Sequence, residues 1–279
     1  GCIIIGSATI TEPDLITASI SGINLSCFNS CDGIAQTAPT GGIPGYTHIW
    51  TPGSSTSDTV LSLCAGTYID TITDANGCFI VDSITLTEPQ LLTIAITDST
   101  NISCNGICDG DATVGVAGGT QPYTYLWSNA DTDTIADSLC AGVVYSVTVT
   151  DANNCQDSIT ITLSEPTLLT ANINDSTNIS CNSVCDGDAT VTAGGGTTPY
   201  TYLWSNNDTD TLADSLCALI AYSITVTDSM GCQASDAVTL SEPIALAATI
   251  IDSNNISCNA ACDGDATVGV AGGTQPYTY

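Results

Sequence analysis

Residues 103–166 read SCNGICDGDATVGVAGGTQPYTYLWSNADTDTIADSLCAGVVYSVTVTDANNCQDSITITLSEP. The Ser-Cys pair that opens this stretch recurs at Cys27, Cys104, Cys181 and Cys258, a constant step of 77 residues, and the Glu-Pro that closes it recurs at Glu12, Glu88, Glu165 and Glu242. Self-similarity at a fixed period marks a tandem array in which each copy is one supersecondary unit. Residues 257–279 copy 103–125 with two changes, Ala260 for Gly106 and Ala261 for Ile107, and residues 1–13 align with 77–89. The expected division is the closing strand of a truncated preceding repeat over 1–13, repeat 1 over 14–89, repeat 2 over 90–166, repeat 3 over 167–243 and the start of a truncated fourth repeat over 244–279. A core the size of one repeat is marginal without staples.

Within the repeat the local pattern is all strand. Runs at 91–97 (LLTIAIT), 111–117 (DATVGVA), 122–127 (PYTYLW), 143–150 (VVYSVTVT) and 158–163 (SITITL) are separated by Gly, Pro and Asn breaks, and most alternate with period two. No segment has helical periodicity. Six or seven short strands per repeat is the count of an immunoglobulin-like sandwich. The predicted fold class is therefore all-β: tandem immunoglobulin-like β-sandwich modules of about 77 residues, stapled by disulfides. Two details sharpen this. The frame Leu139-Cys-Ala-Gly-Val-Val-Tyr145, repeated at 63–68 and 216–222, resembles a tyrosine corner, in which the phenol bonds back across the turn before strand F. Trp50, Trp127 and Trp204 stand where strand C carries its core Trp. Packing is the expected role of these aromatics; the alternative is a sugar-stacking platform of Tyr123, Tyr125 and Trp127, at alternate positions on one strand.

Composition excludes several function classes. The chain has no Lys and no Arg against 29 acidic residues, for a formal charge of −29. Phosphate contacts require cationic side chains, so nucleic-acid partners are excluded, and attraction to an anionic membrane surface fails for the same reason. A one-signed chain often signals disorder, but 43% hydrophobic residues in regular spacing indicate buried cores. Fifteen cysteines at repeating spacings with no cytosolic redox motif point to an oxidising, extracellular setting. No apolar run is long enough to span a membrane, so direct membrane insertion is not expected.

The combination SCNGxCDGDATV, Gly118-Gly119 with Pro122-Tyr123 and Trp127, Ala141-Gly142 with Tyr145, and Thr150-Asp151-Ala152-Asn153 resembles the SprB repeat of Bacteroidota surface proteins. The resemblance implies a very long secreted or cell-surface protein of tandem β-sandwich modules, exported by the type IX system and serving adhesion or motility. Its partners would be itself, in a filament or lateral assembly, and external surfaces or glycans. Repeat 1 departs from the pattern: Ile34-Ala35-Gln36 replaces Asp-Ala-Thr, and it reads Tyr46-Thr-His-Ile-Trp50 rather than Tyr-Thr-Tyr-Leu-Trp.

Each whole repeat has four cysteines. In a sandwich of standard connectivity Cys104 and Cys108 lie in the A–B loop and Cys140 at the E–F corner, all at one pole. The natural bridge is then Cys108–Cys140, repeated as Cys31–Cys64 and Cys185–Cys217. Cys155 begins strand G at the other pole, about 20–25 Å away for strands of this length, beyond the reach of a disulfide. Two schemes remain open for Cys27, Cys78, Cys104, Cys155, Cys181 and Cys232. Either the connectivity differs and Cys104 meets Cys155 within the repeat, or the bond crosses to a neighbour, Cys27 to Cys155 and Cys104 to Cys232. Zinc is the rival use of the C-x3-C spacing, with no third ligand nearby.

The aspartates invite two readings. Asp109, Asp111, Asp131, Asp133 and Asp151 are weak candidates for Ca2+, though no stretch fits an EF-hand loop. No other cofactor is implied. Asp followed by Ser or Thr and then an aliphatic residue or Thr is similar to the Bacteroidota O-glycosylation motif. The acceptors would be Thr59, Thr71, Ser83, Ser99, Thr134, Ser138, Ser158, Ser176, Thr211, Ser215 and Ser229. Glycans there would block edge-to-edge strand pairing. Catalysis finds no motif. The sole histidine, His48, is replaced by Tyr125 and Tyr202 in the other repeats, and an isolated surface or strand histidine is its expected role. The sequence thus predicts a non-enzymatic structural and adhesive protein, cell-surface or secreted. The competing reading is an array of carbohydrate-binding modules attached to a secreted enzyme.

Overall fold

A computed structural model describes residues 2–279. Every regular element among them is a strand. Repeat 1 contributes β1 (Thr17–Ile23), β2 (Gly33–Thr40), β3 (Thr47–Thr51), β4 (Thr59–Leu63), β5 (Gly66–Thr73) and β6 (Phe79–Leu86). Repeat 2 contributes β7 (Thr93–Thr100), β8 (Gly110–Ala117), β9 (Thr124–Trp127), β10 (Ile135–Leu139), β11 (Val144–Thr150) and β12 (Gln156–Thr162). Repeat 3 contributes β13 (Thr170–Thr177), β14 (Gly187–Gly194), β15 (Thr201–Trp204), β16 (Leu212–Leu216), β17 (Ala221–Thr227) and β18 (Gln233–Thr239), followed by β19 (Ala247–Asn254) and β20 (Asp265–Ala271).

The six strands of each whole repeat form two antiparallel three-stranded sheets. The orders are β1-β2-β4 with β3-β5-β6, then β10-β8-β7 with β12-β11-β9, then β13-β14-β16 with β15-β17-β18. In immunoglobulin lettering these are A-B-E facing C-F-G, with the fourth lettered strand missing from the first sheet. The reason lies in the side-chain period: along β11, Tyr145, Val147 and Val149 are buried while Ser146, Thr148 and Thr150 turn outward. The β-branched and threonine-rich runs suit a half-buried pleated surface. Each core is built around its tryptophan. In repeat 3, Trp204 packs among Ala189, Val191, Leu216, Ile224 and Leu240; in repeat 1, Trp50 packs with Leu25, Ala35, Leu63, Tyr68 and Leu86.

Turn geometry explains the repeated glycine pair. Gly118 has φ +69°, a region that side chains other than glycine's rarely adopt. A Cβ there would lie 2.0 Å from the Leu91 carbonyl oxygen, and Gly195 meets Leu168 O at the same distance. The first tyrosine after each turn sits beside this pair, Tyr123 Oη donating to Gly118 O at 2.7 Å and Tyr200 Oη to Gly195 O at 2.5 Å. The tyrosine-corner bond is present in two forms: Tyr68 Oη donates to Cys64 O at 3.0 Å, and the Cys217 amide donates to Tyr222 Oη at 3.1 Å.

The chain divides into two compact units. One comprises 1–99, 111–137 and 144–162; the other comprises 100–110, 138–143 and 163–279. The border runs through repeat 2. The loop before β8 and the β10–β11 corner are grouped with repeat 3, while most of the strands of repeat 2 are grouped with repeat 1. No helix among the described residues is long and apolar enough to cross a membrane.

Candidate functional site

Two loop types recur, and each is fixed by its own carboxylates. The first is the loop between strands A and B. At its end Asp32 accepts from the Ser26 amide (3.0 Å) and hydroxyl and from the Ser30 hydroxyl. Asp109 and Asp186 do the same for Ser103 and Ser180. The closing Glu-Pro holds the same loop from the far end of its repeat. Glu88 Oε2 accepts from the Asn29 amide at 2.8 Å, Glu165 from Gly106 at 2.6 Å and Glu242 from Ser183 at 2.7 Å. The motif that marks the period is therefore a structural clasp.

The second is the turn between strands F and G, Asp-x-x-x-Cys. Asp151 is buried; one oxygen accepts from the Asn153 and Cys155 amides, both at 2.9 Å, and the other from the Thr120 amide at 2.8 Å. Asp74 and Asp228 repeat the arrangement around Cys78 and Cys232. At Asp74 and Asp228 these bonds favour the ionised carboxylate. The Ser26 and Ser30 hydroxyls, with the Ser26 amide, lower the Asp32 pKa to about 2. The serine hydroxyl and then its amide lower Asp109, Asp186 and Asp263, and the Ile43 amide leads in lowering Asp74. Burial pushes Asp228 upward, but the Thr197, Cys232 and Met230 amides outweigh it and the net shift is down.

These loops carry the cross-links. Cys31–Cys64, Cys108–Cys140 and Cys185–Cys217 join the A–B loop to the E–F corner of one repeat, with Cα separations of 3.8, 4.2 and 4.1 Å. Of the two schemes for the other cysteines, the structure holds the one between repeats. Cys27 pairs with Cys155 at a Cα separation of 5.8 Å, and Cys104 with Cys232 at 5.7 Å. Around the first bridge the Asn153 side-chain amide donates to Ser26 O at 2.8 Å, so the F–G turn of repeat 2 is seated on the A–B loop of repeat 1. Cys78 and Cys181 differ from the expectation that they are bonded: both are exposed and unpaired. The bond runs from the first cysteine of one repeat to the fourth of the next, and neither has that counterpart within residues 2–279. Cys2, Cys258 and Cys262 are also free.

The remaining candidates are dispersed. No group of three metal-ligating side chains gathers among the described residues. Asp109 is committed to Ser103 and Asp151 to its turn; Asp131 accepts from Asn129 and the Asp137 amide, the Asp133 carbonyl accepts from Trp127 Nε1, and Asp111 lies on β8. Cys104 and Cys108, whose spacing suits a metal, face different partners. The stacking platform is not available as a surface, because Trp50, Trp127 and Trp204 are each 1% exposed, and Tyr123 and Tyr125 are half-buried on the same strand face.

His48 is not a surface residue. It is buried in repeat 1, with Nδ1 2.7 Å from Asp70 Oδ2, and the Thr37 hydroxyl donates to the same oxygen at 2.7 Å. Asp70 Oδ1 is buried without a hydrogen-bond partner. Asp70 takes the core slot opposite Trp50 that Val147 and Ile224 take opposite Trp127 and Trp204. Sequence reasoning missed this cluster, although Thr37, His48 and Asp70 standing where the next repeat has Val114, Tyr125 and Val147 was a readable signal.

Among the hydroxyl acceptors, Ser83, Ser99, Ser138, Ser158, Ser176 and Ser215 are exposed on outer strands of their sheets, and Thr134, Thr211 and Ser229 are exposed beside them. Thr59 is half-buried on an outer strand. Thr71 is half-buried on the central strand β5, next to the buried Asp70.

The SprB repeat family model matches residues 96–132, 173–209 and 250–279. No curated protein matches the sequence. Solved structures similar to the chain include Sidekick-1 immunoglobulin domains 1–5, at 7% identity and a TM-score of 0.36, covering 83% of this chain and 60% of that one. The N-terminal eight immunoglobulin domains of Down syndrome cell adhesion molecule match at 12% identity and a TM-score of 0.30, covering 95% of this chain and 40% of theirs. A Bacteroides ovatus protein, SGBP-B, solved with a mixed-linkage heptasaccharide, matches at 13% identity and a TM-score of 0.18, covering 85% of this chain and 72% of that one. The chain thus spans about 60% of the Sidekick-1 segment. The SprB repeat model thus recurs at the chain's own period, and its three matches, with the disulfide-stapled sandwiches, support an extracellular, adhesin-type repeat protein.

Proposed function

We propose that this chain is a load-bearing segment of a cell-surface filament or adhesin, in which the repeats at 14–89, 90–166 and 167–243 act as modules supplying length and surface. The observation that carries this reading is the bridge from each repeat to the next, Cys27–Cys155 and Cys104–Cys232. A bond between modules serves a molecule whose task is to stay connected. Nothing in a catalytic reading requires it. The carboxylates within the loops are committed to clasps and turns, and the buried Thr37, His48 and Asp70 are sealed from substrate.

The reading extends to glycosylation. Six exposed Asp-Ser acceptors stand on outer strands, where a sheet presents unpaired backbone groups. Sugars at those positions keep neighbouring molecules from pairing edge to edge, a task for which other proteins use Lys, which this chain lacks. A cryo-EM map of the native material tests both parts. Long uniform fibres with density beyond the hydroxyls of Ser83, Ser99 and Ser158 are expected. Isolated particles, or bare serines on those strands, would contradict the corresponding part.

A further inference from the structure

The two bridges between repeats interleave. Cys27–Cys155 and Cys104–Cys232 each close a separation of 128 residues, and residues 104–155 lie inside both loops. Every peptide bond between Cys27 and Cys232 is therefore inside at least one disulfide-closed loop. We propose that this interleaving gives the chain a further function, as a covalent ladder that survives backbone cleavage and limits extension under load. The proposal rests on the bridges alone and stands whether or not the chain forms filaments.

Consider a single hydrolytic cut. The peptide bond takes up one water and yields a new carboxylate and a new amine, but the two ends stay on one molecule because a bridge spans them. Consider next a pull from both ends. The shortest covalent route from Cys27 to Cys232 crosses to Cys155, returns along the chain to Cys140, crosses to Cys108, continues back to Cys104 and crosses to Cys232. That route contains roughly 20 residues of backbone, against roughly 200 along the sequence, so its extended limit falls from about 700 Å to below about 100 Å. Force reaching the array is carried by this route, and the strands between Cys27 and Cys232 that lie off it, β2 to β10 and β12 to β17, cannot be drawn out. Bridges confined to single repeats would lack this property. The connections between β6 and β7 and between β12 and β13 would remain open to a single cut.

The absence of Lys and Arg makes the test clean, since one introduced Lys is the sole tryptic site. Leu168, between β12 and β13, is 63% exposed, and the bond after it lies inside the Cys104–Cys232 loop alone. Leu91, between β6 and β7, is 54% exposed, and the bond after it lies inside the Cys27–Cys155 loop alone. Full-length Leu168→Lys and Leu91→Lys, cut with trypsin, are expected to remain single species one water heavier under denaturing, non-reducing conditions. Each should separate into two fragments only after reduction. Two fragments without reductant would overturn the proposal. If either variant misfolds or resists cleavage, pulling the unmodified chain from its termini decides the matter. Reductant should add about 600 Å of extensible length, and an unchanged length would overturn the ladder.

Discussion

His48 Nδ1 lies 2.7 Å from Asp70 Oδ2 in the core of repeat 1, with side chains 7% and 0% exposed, in a chain that has no Lys, no Arg and no other histidine. The next repeat shows how the same core is built without this polar cluster, with Tyr125 and Val147 in the two slots and Val114 in that of Thr37. Removing one member of a buried polar pair strands its partner, whereas replacing the whole cluster with packed apolar groups removes the desolvation cost.

His48→Ala is accordingly expected to destabilise repeat 1 by about 3–5 kcal/mol. The triple substitution Thr37→Val, His48→Tyr, Asp70→Val is expected to leave it unchanged or to stabilise it by about 1–4 kcal/mol. Urea denaturation of the full chain, with Trp127 and Trp204 replaced by Phe so that Trp50 reports alone, measures both. A triple variant less stable than His48→Ala would refute the assignment.

Acid stability follows from the clasps. Asp32, Asp74, Asp109, Asp186, Asp228 and Asp263 all have pKa values lowered in the fold, Asp32 to about 2. A lowered carboxylate contributes stability that is fully present above its unfolded value and is lost as pH falls through the folded one. The fold should therefore hold at pH 5 and weaken from about pH 4 to about pH 2. Circular dichroism across that range checks it. A loss of structure that begins near pH 6 would point to a different group.

The sequence made the modules legible because the period-two runs and the Gly-Gly, Trp and Tyr frame are local signals. Tyr68 and Tyr222 bond across the predicted corner, and Trp50, Trp127 and Trp204 sit in their cores. Spacing alone left the partner of Cys104 open, since choosing between Cys155 and Cys232 needs the placement of one repeat against the next. Asp151 was read as a possible calcium ligand because a sequence shows that a carboxylate is present and not what it already accepts. Its three amide donors come from residues 120, 153 and 155, and only the folded turn brings them together.

The glycine pair makes a sharper demand than the aromatic ones. Gly118→Ala places a methyl 2.0 Å from Leu91 O at φ +69°. The backbone strain alone is worth about 1–3 kcal/mol, and relieving the clash adds to it. A melting temperature within a degree of the parent chain would contradict this placement.

Glycan occupancy should follow strand position. Intact-mass and peptide mass spectrometry of the native protein is expected to find sugar on Ser83, Ser99, Ser158 and Ser176, and none on Thr71, which is half-buried on a central strand beside buried Asp70. Modification of Thr71 with the edge serines bare would reverse the argument.

The account stands or falls on which cysteines meet. Digestion of the unreduced chain on the N-terminal side of aspartate separates the alternatives by mass. The predicted products are a three-peptide cluster joining 14–31, 58–69 and 151–156 through Cys27–Cys155 and Cys31–Cys64, and a second cluster in which the peptide holding Cys104 is joined to the one holding Cys232. A cluster joining the peptide of Cys104 to that of Cys155 would contradict the bridges between repeats.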